Sequence, residues 1–146
     1  METFFMKEST FCNQLRDKLT PKGAWTRVES VAGNGVPDIN WFPGQDVWIE
    51  AKVSKGLRVV FQSSQLTWAK KRHDRKSFVW VIVRHNKEII LATSLDIYDK
   101  MQYSNKPWLH VNCIKENGVT FKKPFNWNAL IDILRGKLKL IHGEVV

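Results

Sequence analysis

Two neighbouring segments decide the fold of this chain, Gly35-Val36-Pro37-Asp38-Ile39-Asn40-Trp41 and Val47-Trp48-Ile49-Glu50-Ala51-Lys52-Val53. Residues 42–46, with a proline and a glycine, predict a tight turn between them, so we expect an antiparallel hairpin. Side chains alternate between the two faces of a strand, so Glu50 and Lys52 share one face while Ile49 and Ala51 point into a core. The hairpin would bring Asp38 opposite this Glu50–Lys52 face.

Two carboxylates and an ammonium group near one point suit the binding of a divalent cation. Asp38 and Glu50 would supply oxygen ligands, which Mg²⁺ prefers and which Mn²⁺ also accepts. The two acids favour the charged form of Lys52, so we expect its ammonium group to steer water and phosphate rather than to abstract a proton. The alternative is an ordinary surface ion pair, and such pairs are frequent and weakly stabilising.

The order Pro37-Asp38, then Glu50-Ala51-Lys52, resembles the motif of the PD-(D/E)XK nuclease superfamily. The resemblance covers about residues 7–72. Within the superfamily the chain is most similar to the small archaeal and phage Holliday junction resolvases and to virus-type replication-repair nuclease domains. The resemblance implies one nuclease domain over residues 1–146, with a restriction-endonuclease-like α/β/α core in which helices flank a mixed sheet of four or five strands.

The same resemblance implies an activity and its residues. The protein would be a metal-dependent endodeoxyribonuclease that acts on branched DNA in recombination, repair or phage DNA processing, and it would work as a homodimer. Lys52 would position the attacking water. One or two Mg²⁺ ions would be held by Asp38, Glu50, the Ala51 carbonyl and Glu8.

Residues 3–19 predict a first helix, because apolar side chains recur at spacings of three and four. Glu8 lies on or beside this apolar stripe, and burying an unpaired carboxylate is costly, so its place there needs a reason. In resolvase-like nucleases an N-terminal helix brings a glutamate to the metal, and Glu8 matches that position. The alternative is a boundary residue paired with Lys7 or Arg16. Further candidates for the metal role are Glu2 and Glu29.

Residues 62–73 predict a second helix, with Ser63 or Ser64 as its N-cap. Gln65, followed three residues later by a tryptophan, resembles the pattern after the catalytic lysine in virus-type nuclease domains. By that resemblance Gln65 would lie at the rim of the active site and hold water or phosphate. Gln62 is a second candidate for this role, because the spacing is not fixed.

The charge of the chain favours a polyanionic partner. It has 23 Lys and Arg residues against 14 Asp and Glu, a formal charge of +9, together with seven Trp and eight Phe. No lipid-binding amphipathic helix is evident, so nucleic acid is favoured over a membrane surface. A charge cluster is often only a solvated face, but beside this site we expect phosphate contacts. The candidate DNA-binding residues are Lys55, Arg58, Lys70, Lys71, Arg72, Arg75 and Lys76.

Two other functions fit the same features. A type II restriction endonuclease shares the motif, but 146 residues leave little room for its recognition segments. A non-catalytic nucleic-acid-binding protein would use positive charge and aromatic stacking without a metal. Against the second reading, carboxylates repel DNA unless a cation lies between them.

The remaining sequence predicts further elements. We expect a mobile basic loop over residues 54–58, a strand buried on both faces over 77–84, and a return strand over 88–93 after a tight turn. A short helix follows a Ser94 cap, residues 108–111 and 118–121 are candidate edge strands, and residues 124–135 predict an amphipathic helix.

The sequence lacks the usual signals for membrane insertion or secretion, so we expect a cytoplasmic protein, in the host cytoplasm if the source is viral. No apolar run approaches a membrane span, and the first residues lack the order of a signal peptide. Cys12 and Cys113 have no metal-binding spacing, so we expect buried thiols in a reducing compartment. No small-molecule cofactor is indicated.

Overall fold

The computed structural model describes residues 6–28, 39–74, 78–136, 140–141 and 144–145. These residues form five α-helices, α1 (Glu8–Leu19), α2 (Ser63–Asp74), α3 (Ser94–Gln102), α4 (Val111–Glu116) and α5 (Trp127–Leu134). Their strands are β1 (Ala24–Arg27), β2 (Ile39–Phe42), β3 (Val47–Val53), β4 (Arg58–Val60), β5 (Phe78–His85), β6 (Glu88–Thr93), β7 (Trp108–His110), β8 (Val119–Lys122), β9 (Leu140–Ile141) and β10 (Glu144–Val145).

A central mixed sheet organises the described part of the chain. Its six strands lie in the order β1-β2-β3-β5-β6-β8. The β3–β5 pair is parallel, and the other neighbours are antiparallel. The predicted mixed α/β sheet is confirmed, with one more strand than expected because the short β8 pairs along the outer edge of β6.

Each face of the sheet carries its own hydrophobic core. On one face α1 and α5 cover the inward side chains of β2 and β3, and on the other β4, α3 and α4 complete a second core. Strand β5 serves both, since Trp80 and Ile82 lie in the first core and Val81 and Val83 in the second. A strand buried on both faces is apolar at nearly every position, which explains the unbroken apolar run.

The predicted hairpin is confirmed by the pairing of β2 with β3, in which Ile39 lies opposite Ile49 and Trp41 opposite Val47. Gly44 in the turn has a φ of +119°, a conformation that favours glycine. Ile49 and Ala51 are fully buried in the first core, as alternation predicts. The side chains at positions 48, 50 and 52 therefore lie on the opposite face of β3.

The structure corrects two helix boundaries. Helix α1 begins at Glu8, after an extended Lys7, and not at residue 3; residues 1–5 lie outside the described residues. Helix α3 is capped by Thr93 and not by Ser94, because the Thr93 hydroxyl accepts a hydrogen bond from the backbone N–H of Asp96. A cap residue must stand just before the first helical residue, and Ser94 is already helical.

Residues 54–58, which the sequence predicts as a basic loop, contain a hydrogen-bonded turn. Lys55 and Arg58 exchange two backbone hydrogen bonds, of 2.8 and 3.1 Å, around a tight turn in which Gly56 has a φ of +60°. Arg58 then opens β4, which pairs with β7. Of the two cysteines, Cys12 is buried as predicted, but Cys113 is only half-buried. None of the helices in the described ranges is long and apolar enough to cross a membrane.

Candidate active site

Glu50 and Lys52 form a shielded ion pair on the face of β3 that lies away from α1. The Nζ atom of Lys52 is 3.5 Å from Oε1 of Glu50, and their side chains are only 12% and 7% exposed. Two charges attract more strongly when water is displaced from around them, so this pair differs from the surface salt bridge that the sequence left as an alternative.

Gln65 of α2 joins the two charges. Its Nε2 donates to Oε1 of Glu50 at 2.7 Å, and its Oε1 accepts from Nζ of Lys52 at 3.2 Å. The amide therefore presents its donor to the carboxylate and its acceptor to the ammonium group. Gln65, which the sequence predicts at the rim of the site, is thus brought by α2 into contact with both Glu50 and Lys52.

The start of α2 explains why Gln65 points this way. Gln65 is the third residue of the helix, and its Oε1 also accepts from the backbone N–H of Gln62, at 3.2 Å. A glutamine at this position that reaches back to the residue before the helix forms half of a capping box. The predicted cap at Ser63 or Ser64 is wrong, since both residues lie inside the helix. The contact that closes the helix end thus also aims the amide at Glu50.

A small cleft lies at the Lys52 end of this arrangement. Its volume is about 210 Å³, and its lining includes Glu8, Lys52, Lys55 and Gln62. Glu8 is exposed in the first turn of α1, so it lies beside the apolar stripe and not within it. Because Glu8 is exposed, it avoids the cost of burying a carboxylate, and an acid in this turn also interacts favourably with the helix dipole. The structure nevertheless brings Glu8 and Lys52 to one cleft.

Several candidate residues fall outside the described residues. They are Glu2, Glu29, Asp38, Arg75 and Lys76, and the side chain of Arg72 lies outside them as well. Within the described ranges, no three His, Cys, Asp or Glu side chains come together as a metal site. The described chain resumes at Ile39, whose partner Ile49 is the neighbour of Glu50.

A pair of tryptophans, Trp48 of β3 and Trp68 of α2, packs near Glu50. The rings of Trp48 and Trp68 meet edge to face, with centroids 5.0 Å apart. Asp46 accepts from Nε1 of Trp48 at 2.9 Å and from Nδ2 of Asn40 at 2.6 Å. These contacts tie β2, β3 and α2 together beside the ion pair. Sequence analysis missed them, although a tryptophan alternating with Glu50 and Lys52 was a usable signal.

The described basic candidates lie at the surface around this region. Lys55 lines the small cleft, and Lys71 is exposed. The guanidinium group of Arg58 lies 4.3 Å from the ring centroid of Trp108, and Nζ of Lys70 lies 5.1 Å from that of Tyr98. Arg58 and Lys70 therefore each make a cation–π contact with an aromatic ring.

Ser54 follows β3, two residues after Lys52, and contacts His85 at the end of β5. Its Oγ atom is 2.7 Å from Nδ1 of His85. Burial, assisted by the positive charges of Lys115 and His110, lowers the pKa of His85 below its ordinary value of 6.5, and Glu88 only partly opposes this. His85 is 8% exposed, so burial disfavours the charged form of the imidazole in the folded chain.

Acidification should therefore destabilise the protein through His85. Below about pH 6.5 the unfolded chain binds a proton at this position before the folded chain does, so the free energy of unfolding should fall as the pH is lowered. Urea denaturation at about pH 7.5 and about pH 5.5 measures the loss. In His85→Gln the loss should be smaller, and an equal loss in both proteins would contradict this role.

Comparisons with known proteins bear on the fold. No family model matches the chain, and no curated protein is significantly similar to it in sequence. Among solved structures it is similar to Hjc of Archaeoglobus fulgidus, a Holliday junction resolvase from an archaeal hyperthermophile, with a TM-score of 0.55 and 18% sequence identity. The match covers 73% of this chain and 90% of the resolvase chain. The chain therefore has the fold of this archaeal resolvase, and the predicted α/β fold is confirmed.

Proposed function

We propose that this protein is a metal-dependent endonuclease that hydrolyses phosphodiester bonds in branched DNA. The observation that carries the proposal is the shielded Glu50–Gln65–Lys52 arrangement on a resolvase-like sheet. A carboxylate and an ammonium group that are held in register by a third side chain suit a reaction centre, because chemistry requires fixed geometry. The surrounding cations would bind the phosphate backbone.

The residues near Glu50 fit a hard divalent cation such as Mg²⁺ or Mn²⁺. Glu50 offers carboxylate oxygens and Ala51 a backbone carbonyl. Asp38 directly precedes Ile39, which pairs with Ile49, and we infer that it supplies the second carboxylate. Glu8 would contribute from the neighbouring cleft. All of these donors are oxygen atoms, which such ions prefer. When bound, the cation would lower the pKa of a water molecule and neutralise charge on the phosphate.

Lys52 would act on water and phosphate from its place at the cleft. An ammonium group has three donors, and Lys52 directs one to Gln65 and pairs with Glu50. Because Lys52 also lines the cleft with Lys55, its remaining hydrogen-bonding capacity is available to a phosphate oxygen or a water molecule there. Holding its charge in place before the substrate arrives is what makes such a group effective.

Gln65→Glu should separate positioning from helix capping. The new carboxylate can still accept from the Gln62 N–H and from Lys52, but it replaces the donor to Glu50 with a like charge. We expect cleavage to slow by roughly 10- to 100-fold, the usual effect of losing a partner that orients a metal ligand. Gln65→Ala should lose both cleavage and helix stability. Single-turnover cleavage and urea denaturation measure the two effects. A Gln65→Glu protein that cuts normally would rule out the positioning role.

The proposed assembly is a homodimer, because cutting two strands of opposite polarity in a branched substrate suits two sites related by two-fold symmetry. Light scattering on the purified protein, alone and with a four-way junction, measures the mass. A stable mass of one protomer while the junction is being cut in both strands would contradict the dimer.

The function is tested with synthetic four-way, flap and linear DNAs of matched sequence, incubated with Mg²⁺. We expect the branched DNAs to be cut, the linear duplex to be cut far more slowly, and the Glu50→Ala protein to cut none of them. Cutting of linear DNA at one fixed sequence would favour a restriction-type enzyme. Binding without any cutting would favour a non-catalytic nucleic-acid-binding protein.

A further inference from the structure

A second and larger cleft, of about 750 Å³, adjoins the proposed active site. Val60 and Gln62 line both this cleft and the smaller one that contains Lys52 and Glu8. Its other walls come from α2, α3 and the loop that follows α3. We refer to it as the α3 cleft. The two clefts are therefore neighbours that share Val60 and Gln62, close enough for one polymer to contact both.

The floor of the α3 cleft is apolar and aromatic. Phe61, Tyr98 and Met101 line it, and Val60 is 41% exposed at its edge. Phe61 is only 3% exposed, and its ring centroid lies 5.7 Å from the Nζ atom of Lys52, so it packs between this floor and the proposed active site. The floor thus runs from the ammonium group of the proposed active site to the side of α3.

Positive charge surrounds this floor. Lys106 is part of the lining, Lys70 lies over the Tyr98 ring, and Arg58 and Lys106 lie over the ring of Trp108. Of the residues that line the cleft in the described part of the chain, none is acidic. Aromatic faces beside cations are the usual means of binding single-stranded nucleic acid, in which bases stack and phosphates pair with the cations.

We propose that the α3 cleft binds an unpaired stretch of the strand that is cut at Lys52. Bases of a duplex are enclosed between its strands, so only unpaired bases can lie on the floor formed by Tyr98 and Met101. Their phosphates would lie towards Lys70 and Lys106. The volume is within the range of about 300–1,000 Å³ typical of ligand pockets. The inference rests on the proposed function and deepens it: the substrate is a branch with an unpaired arm.

Binding to a short labelled single strand of thymidines, without metal, tests the cleft independently of catalysis. Lys106→Glu reverses one charge in the cleft, and Tyr98→Leu keeps apolar bulk while removing the aromatic face. Lys22→Glu is the matched control, since Lys22 is exposed in the short 3₁₀ turn after α1 and makes the same charge change elsewhere. We expect Lys106→Glu and Tyr98→Leu to weaken binding by about tenfold and Lys22→Glu to have a much smaller effect.

Cleavage gives the second readout. The wild-type protein should cut a fork with an unpaired arm faster than the same fork whose arm is made duplex, and Lys106→Glu should remove the difference. Equal weakening by Lys106→Glu and Lys22→Glu would overturn the inference, since net charge alone would then explain binding. Should Tyr98→Leu disturb folding, as its unfolding midpoint would reveal, the exposed Lys106 and its control still decide the question.

The two proposals fail in different ways. If the wild-type protein binds the single strand through Lys106 but cuts no DNA, the cleft stands and the proposed function falls. If branched DNA is cut while both cleft variants bind the single strand as the wild type does, the function stands and the cleft inference falls.

Discussion

Replacing Lys52 with alanine should slow DNA cleavage by roughly 10²- to 10³-fold, the cost of removing one charged donor aimed at a reacting phosphate. Nζ of Lys52 is held by Glu50 and Gln65 at the edge of the cleft, a position in which its charge is fixed before DNA binds. Single-turnover cleavage of a labelled four-way junction at saturating protein measures this step without a contribution from binding.

Lys87→Ala is the matched control, because Lys87 is an exposed lysine in the turn between β5 and β6 and has no part in the site. Asp38→Ala and Glu50→Ala should slow cleavage at least as much as Lys52→Ala does. All three should leave metal-free DNA binding largely intact, since most of the proposed phosphate contacts come from the other basic residues. If all three variants still cut DNA, the proposed site is wrong.

Trp41→Ala should have the largest effect on stability, a loss of about 3–5 kcal/mol in the free energy of unfolding. Trp41 is fully buried in the first core, and its Nε1 donates to the backbone carbonyl of Leu19 at 3.0 Å. The contact fixes β2, the strand that follows Asp38, to the end of α1. Part of the loss comes from the cavity that the small alanine side chain leaves in the core. Urea denaturation measures the loss.

Two further tryptophan variants make this test specific. Trp41→Phe keeps most of the buried ring but leaves the Leu19 carbonyl without its donor, so we expect a loss of about 1–3 kcal/mol. Trp25 lies opposite Trp41 on β1 and is half-buried, so Trp25→Ala should cost less than Trp41→Ala. An equal loss from the Trp25 and Trp41 changes would contradict the anchoring role.

Local patterns were sufficient to predict the central hairpin and the face on which its charged residues lie. Alternation along residues 47–53 is a property of each strand by itself, and the turn is encoded by a few residues between the strands. The same reasoning places Glu50 and Lys52 together without any knowledge of the tertiary fold. Burial of the ion pair depends on α2, which packs against that face and contributes Gln65.

The errors arose where distant contacts decide the structure. Periodicity gives the side of a helix that faces the core, but it does not give the depth at which each turn is buried, so it left open whether Glu8 lies on or beside the apolar stripe, and Glu8 is exposed. Arg58, expected at the end of a loop, instead begins a strand whose Val59 pairs with Leu109, some fifty residues away.

The central claim is that Glu50 and Asp38 hold a divalent cation beside Lys52. Calorimetric titration of the protein with Mn²⁺ tests it most directly, because it needs neither a chosen DNA nor turnover. We predict saturable binding by the wild-type protein that is lost in Glu50→Gln and in Asp38→Asn, with folding unchanged. Saturable binding that survives both substitutions, or its absence from the wild-type protein, would contradict the account.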